Sequence, residues 1–483
     1  MDPAFQASPE TELSRIEALL AQGPQSLELR CIYASLLKRL GRREDAKLAY
    51  LEILKLDSTH LGALSGMGAL LYETDYRKAA ISVYKRIIEL YPHEAAGHVN
   101  LANVLWHHND HPGAARHYHA ALEIDPNCNE AHQGMAAVLM ERREIDAAWG
   151  HAKQGFSTTP VQVIPFQGIG NGCSLLILNS VLGGNIPLRS VIDNRIFKTS
   201  ILATEFYDPH LPLPEHQLVI NAIGDADRCP EALQIAARLL QGTQVPVINP
   251  PEKVALTGRA ENARRLAAIP GLRTPGTILL HREELEGAKG LTRIASLGFE
   301  FPLLLRVQGF HAGQHFVKID HEEDLAASLA GLPGQELALI QFLDARSLDG
   351  KCRKYRVMMI DGKLYPLHLA VSKNWKIHYF SADMSDNAEH RAEDFAFLSG
   401  MSGVLGAQAM ATLQELDQVL DLDYAGVDFS INQAGELLLF EANTTMIIAL
   451  PPSDEKWAYR RAPVQKVLDA VTAMLLSRVE TLP

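Results

Sequence analysis

Residues 426–445, GVDFSINQAGELLLFEANTT, put three oxygen-bearing side chains where chemistry is to be expected. Val427, Phe429 and Ile431, then Leu437 to Phe440, read as two buried strands, yet Asp428 and Glu441 carry charge into that setting. Suppose the strands pair as a hairpin across Gln433–Glu436, with Asn432 opposite Leu437. Asp428 then falls opposite Glu441, and Leu437 and Leu439 share the acids' face. Opposite residues hold their Cβ atoms about 5 Å apart. Asn443 lies two positions past Glu441, again on that face. Two carboxylates this close in apolar surroundings repel each other and lose hydration. A divalent cation answers both problems. Two carboxylates and an amide carbonyl are hard donors that suit Mg2+ arriving with substrate phosphates. Asp428, Glu441 and Asn443 are therefore the expected metal ligands.

Such a site needs cations and glycines for the phosphates. The segment FPLLLRVQGFHAGQHFVKI (301–319) reads as a strand with Arg306, a loop with Gly309 and Gly313, and a strand with Lys318. Glycines let such a loop bend over phosphates with its N–H groups inward. ELALIQFLDA (336–345) reads as a further buried strand, and residues 353–380 as an antiparallel run that brings in Arg356, Lys373 and His378. If that run stays extended, Ser372, Asn374, Lys376 and His378 share one face, and Lys373, Trp375 and Ile377 the other. Either set could face a cleft. Lys373 and His378 are the expected substrate contacts.

The elements that hold these residues belong to a larger chain. At 483 residues and 47% hydrophobic content, two or three domains can each bury a core. A net charge of −12 argues against a nucleic-acid partner, which wants a basic face. Five scattered cysteines without metal spacing suit a reducing compartment. Apolar runs such as Leu175–Leu178 are far too short to span a bilayer. No basic-then-apolar leader opens the sequence. These features point to a cytoplasmic protein with no membrane partner.

The N-terminal third repeats. Pro92, Pro126 and Pro160 fall 34 residues apart, and the frame behind them recurs. Small residues stand at Ala34, Gly68, Ala102 and Ala136, leucines at Leu37, Leu71, Leu105 and Leu139, alanines at Ala46, Ala80, Ala114 and Ala148. Tyr50, Tyr84 and Tyr118 follow, with Ala152 in the last copy. Small residues let two helices approach, large ones fill the seam, and proline stops the second helix. The pattern resembles the tetratricopeptide repeat in four copies, 27–60, 61–94, 95–128 and 129–162, with 9–24 as a capping half-unit. The resemblance implies an all-α solenoid whose concave face takes a peptide or protein partner. His107, His108, His111, His117 and His119 crowd the third copy. His107 and His111 have helical metal spacing, but His111 stands at the inter-helix turn beside Pro112, so these read as solvated or packed side chains.

From Val161 the period changes. VQVIPF reads as a strand, Gly168, Gly170 and Gly172 as a tight strand-to-helix turn, and CSLLILNSVLGG as a helix. The glycine spacing is not that of a dinucleotide loop. HQLVINAIGDAD (216–227) is a strand running into Asp225 and Asp227, read equally as a ligand-facing or a solvated loop, and VPVINPP (245–251) is a third strand. The pattern is that of a small α/β domain at 161–250.

In this order the segments resemble the ATP-grasp family, which includes D-alanine–D-alanine ligase and the RimK-type amino-acid ligases. The likeness covers about 245–450, with 161–245 matching the small domain that precedes it. The expected fold is thus multidomain: a solenoid (9–160), an α/β pre-ATP-grasp domain (161–250) and an α+β ATP-grasp domain (251–483). The resemblance implies that Asp428, Glu441 and Asn443 hold magnesium, and that Arg356 contacts the transferred phosphate. It further implies that Gln341, Phe342 and Leu343 hold adenine, and that Asp349 meets the ribose. Arg259 and Arg306 stand where the family carries lysines. Arginine keeps the charge and grips phosphate bidentately. The implied activity is ATP-dependent ligation of a small-molecule or peptide carboxylate to an amine through an acyl phosphate. A kinase on the same fold, or a non-catalytic scaffold, stays open.

Overall fold

The computed structural model describes residues 9–23, 25–168, 170–188, 191–307, 313–377, 382–452 and 454–480. Gly309 and His378 lie outside the described residues. The chain forms two compact units, 1–183 with 192–219, and 184–191 with 220–483.

The first unit opens on α1 (Pro9–Gln22), the expected capping helix. Four helix pairs follow: α2 (Leu27–Arg39) with α3 (Arg43–Leu56), α4 (Leu61–Glu73) with α5 (Arg77–Leu90), α6 (Ala95–Trp106) with α7 (His111–Ile124), and α8 (Asn129–Glu141) with α9 (Ile145–Phe156). The recurrent alanines Ala34, Ala46, Ala80, Ala102, Ala114, Ala136 and Ala148 are fully buried, as close helix packing demands. Tyr50 lies over Gly66 and Tyr118 over Gly134, with no room for a Cβ at either glycine. Pro92, Pro126 and Pro160 each fall within four residues of the end of α5, α7 and α9.

Three strands complete this unit: β1 (Val161–Val163), β2 (Cys173–Asn179) and β3 (Phe197–Ala203). β1 runs antiparallel to β3, and β2 parallel to it from Cys173↔Phe197 to Asn179↔Ala203. The expected helix at CSLLILN is therefore β2. Leu175 to Leu178 are all buried, so this strand shows no alternation, and a short continuous apolar run does not distinguish the two states. The glycines before it join strand to strand, Gly170 and Gly172 adopting φ of +77° and +53°. β4 (Leu218–Asn221) starts in this unit and ends in the second.

The second unit runs α10 (Pro230–Leu239), β5 (Val247–Ile248), α11 (Pro251–Val254), α12 (Arg259–Leu266), β6 (Leu272–Arg273), β7 (Thr277–His281), α13 (Gly287–Ser296), β8 (Leu303–Val307), β9 (Phe316–Ile319), α14 (Leu325–Ala330), β10 (Glu336–Gln341), β11 (Cys352–Ile360), β12 (Lys363–Ser372), α15 (Ala388–Leu420), β13 (Tyr424–Ile431), β14 (Leu437–Asn443) and α16 (Arg461–Glu480). Two sheets result. One has the order β7-β10-β8-β9, the other β12-β11-β13-β14-β6. Leu285, Ile294, Leu303, Leu305, Ile319, Leu337 and Leu339 form the core beneath the first.

The opening hairpin exists, with a changed register. Asp428 pairs with Glu441 as expected, but Phe429, Ser430 and Ile431 pair with Leu439, Leu438 and Leu437, leaving Phe440 as a bulged residue. Leu437 and Leu439 are thus in register with Ile431 and Phe429, not with the acids. Asn249 fixes the start of β13. This buried residue, at φ +51°, donates from Nδ2 to Tyr424 O (2.7 Å) and accepts from Tyr424 N at Oδ1 (3.0 Å). β12 ends at Ser372, and residues 373–376 bend, so the expected two-face alternation does not continue through Lys373–Ile377.

Helix α15 is interrupted by non-helical Gly400 and Gly406, and it buries Phe397, Leu398, Leu405, Leu413 and Leu416. Among the described residues it is the helix long and apolar enough, by length and composition, to cross a membrane.

Candidate functional site

The second unit contains a cavity walled by both sheets, α12 and the loop after β4. Its wall includes Arg259, Arg306, Gly313, Gln341, Phe342, Leu343, Asp428, Glu441 and Asn443, nine of the residues singled out in the sequence. It also includes Lys354, Lys376, Trp375, Asp225 and Asp227.

At one end the charges gather. Asp428 is buried, and its register partner on β11 is Arg356. Arg356 donates to it twice, Nε to Oδ1 at 2.6 Å and a terminal nitrogen to Oδ2 at 2.8 Å, and Lys354 Nζ adds a third bond at 2.9 Å. Burial pushes the Asp428 carboxyl up, but Arg356 and Lys354 outweigh it and hold the group well below the usual carboxylate range. The two acids do not face each other unscreened, as the sequence suggested. Asp428 has its own cations, and Glu441 has Arg259 at 3.4 Å. Arg259 is the first residue of α12, and its backbone N–H donates to Asp227 Oδ2 at 3.1 Å. Buried Asn262 ties the same helix to β14 by donating to Ala442 O at 2.9 Å. Asn443 Oδ1 accepts from the backbone and hydroxyl of Thr445.

Arg306 projects from β8 into this charged end. Burial first, and the positive charge of Arg259 second, pull its pKa down to about 10, while Glu441, Asp225 and Asp227 oppose them. Arg306 thus keeps its charge against both burial and a neighbouring guanidinium. The other end is apolar. Leu304, Ala338 and Ile340 pack with Phe316, Phe342 and Trp375. The expected Lys318 is off the wall: its Nζ pairs with Asp320 at 2.5 Å and lies 4.4 Å from the Phe342 ring centre. Gln341 closes the end of β10 by donating its N–H to Gly276 O, and Phe342 and Leu343 follow it.

The remaining expected residues stand elsewhere. Arg356 is off the cavity wall, locked on Asp428, while Lys354, two residues earlier on β11, is on it. Lys373 is exposed and off the wall, and Lys376 takes the cavity position with Nζ donating to Phe316 O at 3.2 Å. Asp349 is off the wall too and pairs with Arg353 at 2.8 Å. A same-face spacing of two from Arg356 was the signal that could have found Lys354. Nothing in the sequence marked the bend after Ser372 that turns Lys376 inward.

Among the described residues no group of three or more His, Cys, Asp or Glu is placed to hold a metal by itself. Asp428 opposite Glu441, with Asn443 beyond, supplies hard oxygens along one edge of the cavity. This donor set fits a magnesium ion that brings phosphate oxygens of its own, with the Lys354 contact to Asp428 giving way.

Tetratricopeptide repeat models match residues 27–60 and 95–128. The first unit therefore opens with a tetratricopeptide array, an architecture that builds interaction surfaces. Among solved structures, the crystal structure of MamA is 21% identical over 31% of this chain and 86% of that one, with a TM-score of 0.28. YrrB, described as a tetratricopeptide protein with an unusual peptide-binding site, is 19% identical over 30% of this chain and 75% of that one, with a TM-score of 0.26. The VanG D-Ala:D-Ser ligase from Enterococcus faecalis is 12% identical over 63% of this chain and 100% of that one, with a TM-score of 0.39. Likenesses this distant carry no weight for activity. No curated protein matches the chain.

Proposed function

We propose that the second unit is an ATP-dependent carboxylate–amine ligase of the ATP-grasp type, with the ATP-grasp region at 251–483 and the α/β segment at 161–250 preceding it. The supporting observation is the cavity itself: an apolar, aromatic wall at one end, and at the other Arg306, disfavoured by burial and by neighbouring Arg259, beside a carboxylate pair. A flat heterocycle joined to a polyanion with a divalent cation matches that sequence of surfaces.

In this reading adenine lies against the wall formed by Phe316, Phe342 and Trp375, beside Gln341–Leu343. Arg259 and Arg306 meet the triphosphate oxygens, and Gly313 borders them. Lys354 takes the role the sequence suggested for Arg356: it leaves Asp428 for the transferred phosphate, while Arg356 stays on Asp428 and fixes it. Magnesium, held by Asp428, Glu441 and Asn443, would neutralise charge on the phosphates. Phosphoryl transfer from ATP to a substrate carboxylate breaks the γ-phosphate bond to ADP and forms an acyl phosphate. An amine lone pair then attacks the acyl carbon, the amide forms, phosphate departs and the amine proton goes to solvent. The wall's work is positioning and charge compensation. Lys376 and the Asp225–Asp227 loop are the charged groups on the wall that would contact carboxylate and amine. The repeats recruit a peptide or protein, as the substrate or beside it. The five cysteines are free thiols, in keeping with a cytoplasmic setting.

Incubation with ATP, magnesium and pooled amino acids and peptides tests this. ADP, phosphate and a new amide are the expected products. ADP with a phosphorylated product would make the protein a kinase. Absence of turnover together with absence of ATP binding would leave a scaffold.

A further inference from the structure

The repeat array holds titratable pairs that a ligase reaction does not use. In the third repeat His98 on α6 meets His117 on α7, Nδ1 to Nδ1, at 3.0 Å. In the fourth, His132 on α8 meets His151 on α9 in the same way at 2.8 Å. Each residue lies one 34-residue period from its counterpart. The second repeat carries Leu64 and Val83 at these two positions, both in one apolar cluster. The first carries Arg30 and Ala49, so the paired histidines are confined to the third and fourth repeats.

The pairs are near copies, with ring centres 5.2 and 5.0 Å apart and planes 39° and 40° from parallel. In both, the centre separation exceeds the nitrogen separation by 2.2 Å (5.2 − 3.0 and 5.0 − 2.8). That is close to twice the distance from ring centre to ring nitrogen, so the rings point head-on. This is the geometry of an N–H···N hydrogen bond, not of two lone pairs converging on a metal. His132 Nε2 also lies 2.9 Å from Pro126 O, which only accepts. That nitrogen carries the proton, His132 Nδ1 accepts, and His151 Nδ1 donates.

We propose that these two histidine pairs are an acid-sensitive latch that opens the third and fourth repeats while leaving the first two closed. The proton count decides it. A neutral pair holds one shared N–H···N bond. A first added proton goes to the outer nitrogen of the donor ring and leaves the bond intact. A second goes to the accepting Nδ1, sets N–H against N–H and places two imidazoliums in contact. Burial keeps His98, His117 and His151 below the ordinary histidine range. Around them, Lys85, Arg116 and His98 disfavour charge on His117 and Asp110 favours it; Glu123 favours charge on His98; His132 and His119 disfavour it on His151. Glu123 is itself 3.4 Å from His119. With folded-state values depressed, the unfolded segment takes up protons first. The latch is closed above about pH 6.5 and weakens as pH falls below it. A partner spanning these repeats would be released in acid.

Hydrogen exchange on the full chain, corrected for intrinsic rates, tests the latch. Between about pH 7.5 and about pH 5.5, peptides from 95–156 should lose roughly tenfold more protection than peptides from 27–90. His98→Leu with His117→Val, and His132→Leu with His151→Val, copy the second repeat and should abolish the excess. Equal acid response in all four repeats overturns the proposal, as does an excess that survives in the folded variant. Should the variants fail to fold, histidine NMR titration of the unaltered chain decides. Two-step titration within each pair is expected, and four independent single steps overturn it.

Discussion

Asp428 and Glu441 face the same cavity edge, and both are proposed magnesium ligands, yet their removal should differ sharply in what it does to the fold. Asp428→Asn leaves the side chain's shape but turns an acceptor-only group into one that presents an NH2. Three charge-assisted bonds of 2.6, 2.8 and 2.9 Å are weakened or lost. The side chains of Arg356 and Lys354 are only 21% and 12% exposed, so water does not replace the lost anion. Breaking a buried pair by removing one partner costs about 3–5 kcal/mol. Glu441 and Arg259 lie 3.4 Å apart with side chains about one-third exposed, at 36% and 34%. Glu441→Gln should therefore cost less than about 1 kcal/mol. Urea unfolding followed by hydrogen exchange in β11, β13 and β14 reads the two variants separately from the repeats. The sign with pH is also set. Because the Asp428 pKa is depressed on folding, its contribution is present above the ordinary aspartate value and lost as pH falls through and below about 3.9. The deficit of Asp428→Asn should stay constant from about pH 8 to about pH 5 and shrink only below about pH 4. A deficit under about 1 kcal/mol at neutral pH, or one no larger than that of Glu441→Gln, would refute the claim that the Arg356–Asp428–Lys354 cluster holds this sheet.

Other outcomes follow from the same contacts. Arg306→Met should raise the melting temperature of the ligand-free protein, because a guanidinium disfavoured by burial and by Arg259 is removed, and should weaken ATP binding measured by calorimetry at least about tenfold; unchanged ATP affinity would contradict the cavity assignment. Lys354→Met should lower ATP turnover about 10²–10³-fold with little change in nucleotide affinity, whereas a variant that retained full turnover would return the role to Arg356. In the array, Gly134→Ala should destabilise by about 1–3 kcal/mol by pressing on Tyr118, while Gly150→Ala, with open space around it, should stabilise by about 0.5–1 kcal/mol; calorimetric scans of the two variants shifting in the same direction would contradict the packing described.

Local chemistry wrote much of this protein into its sequence. The repeats were legible because close helix packing demands Ala34, Ala80 or Ala114 at a fixed period, and four copies agree. The Asp428–Glu441 pairing was legible from strand alternation and a short turn, although two departures cancelled: a turn register one residue off and a bulge at Phe440. Strand β2, with its continuous apolar run Leu175–Leu178, was not legible, since burial on both faces erases the period that separates strand from helix. What only the tertiary structure decided is which cations meet which acids. Lys354 and Arg356 reach Asp428 across 74 and 72 residues of chain, and His98 meets His117 only because two helices fold back on each other. Charge and hydrogen bonding act through space over a few ångströms, so partners distant in the sequence are chosen by packing.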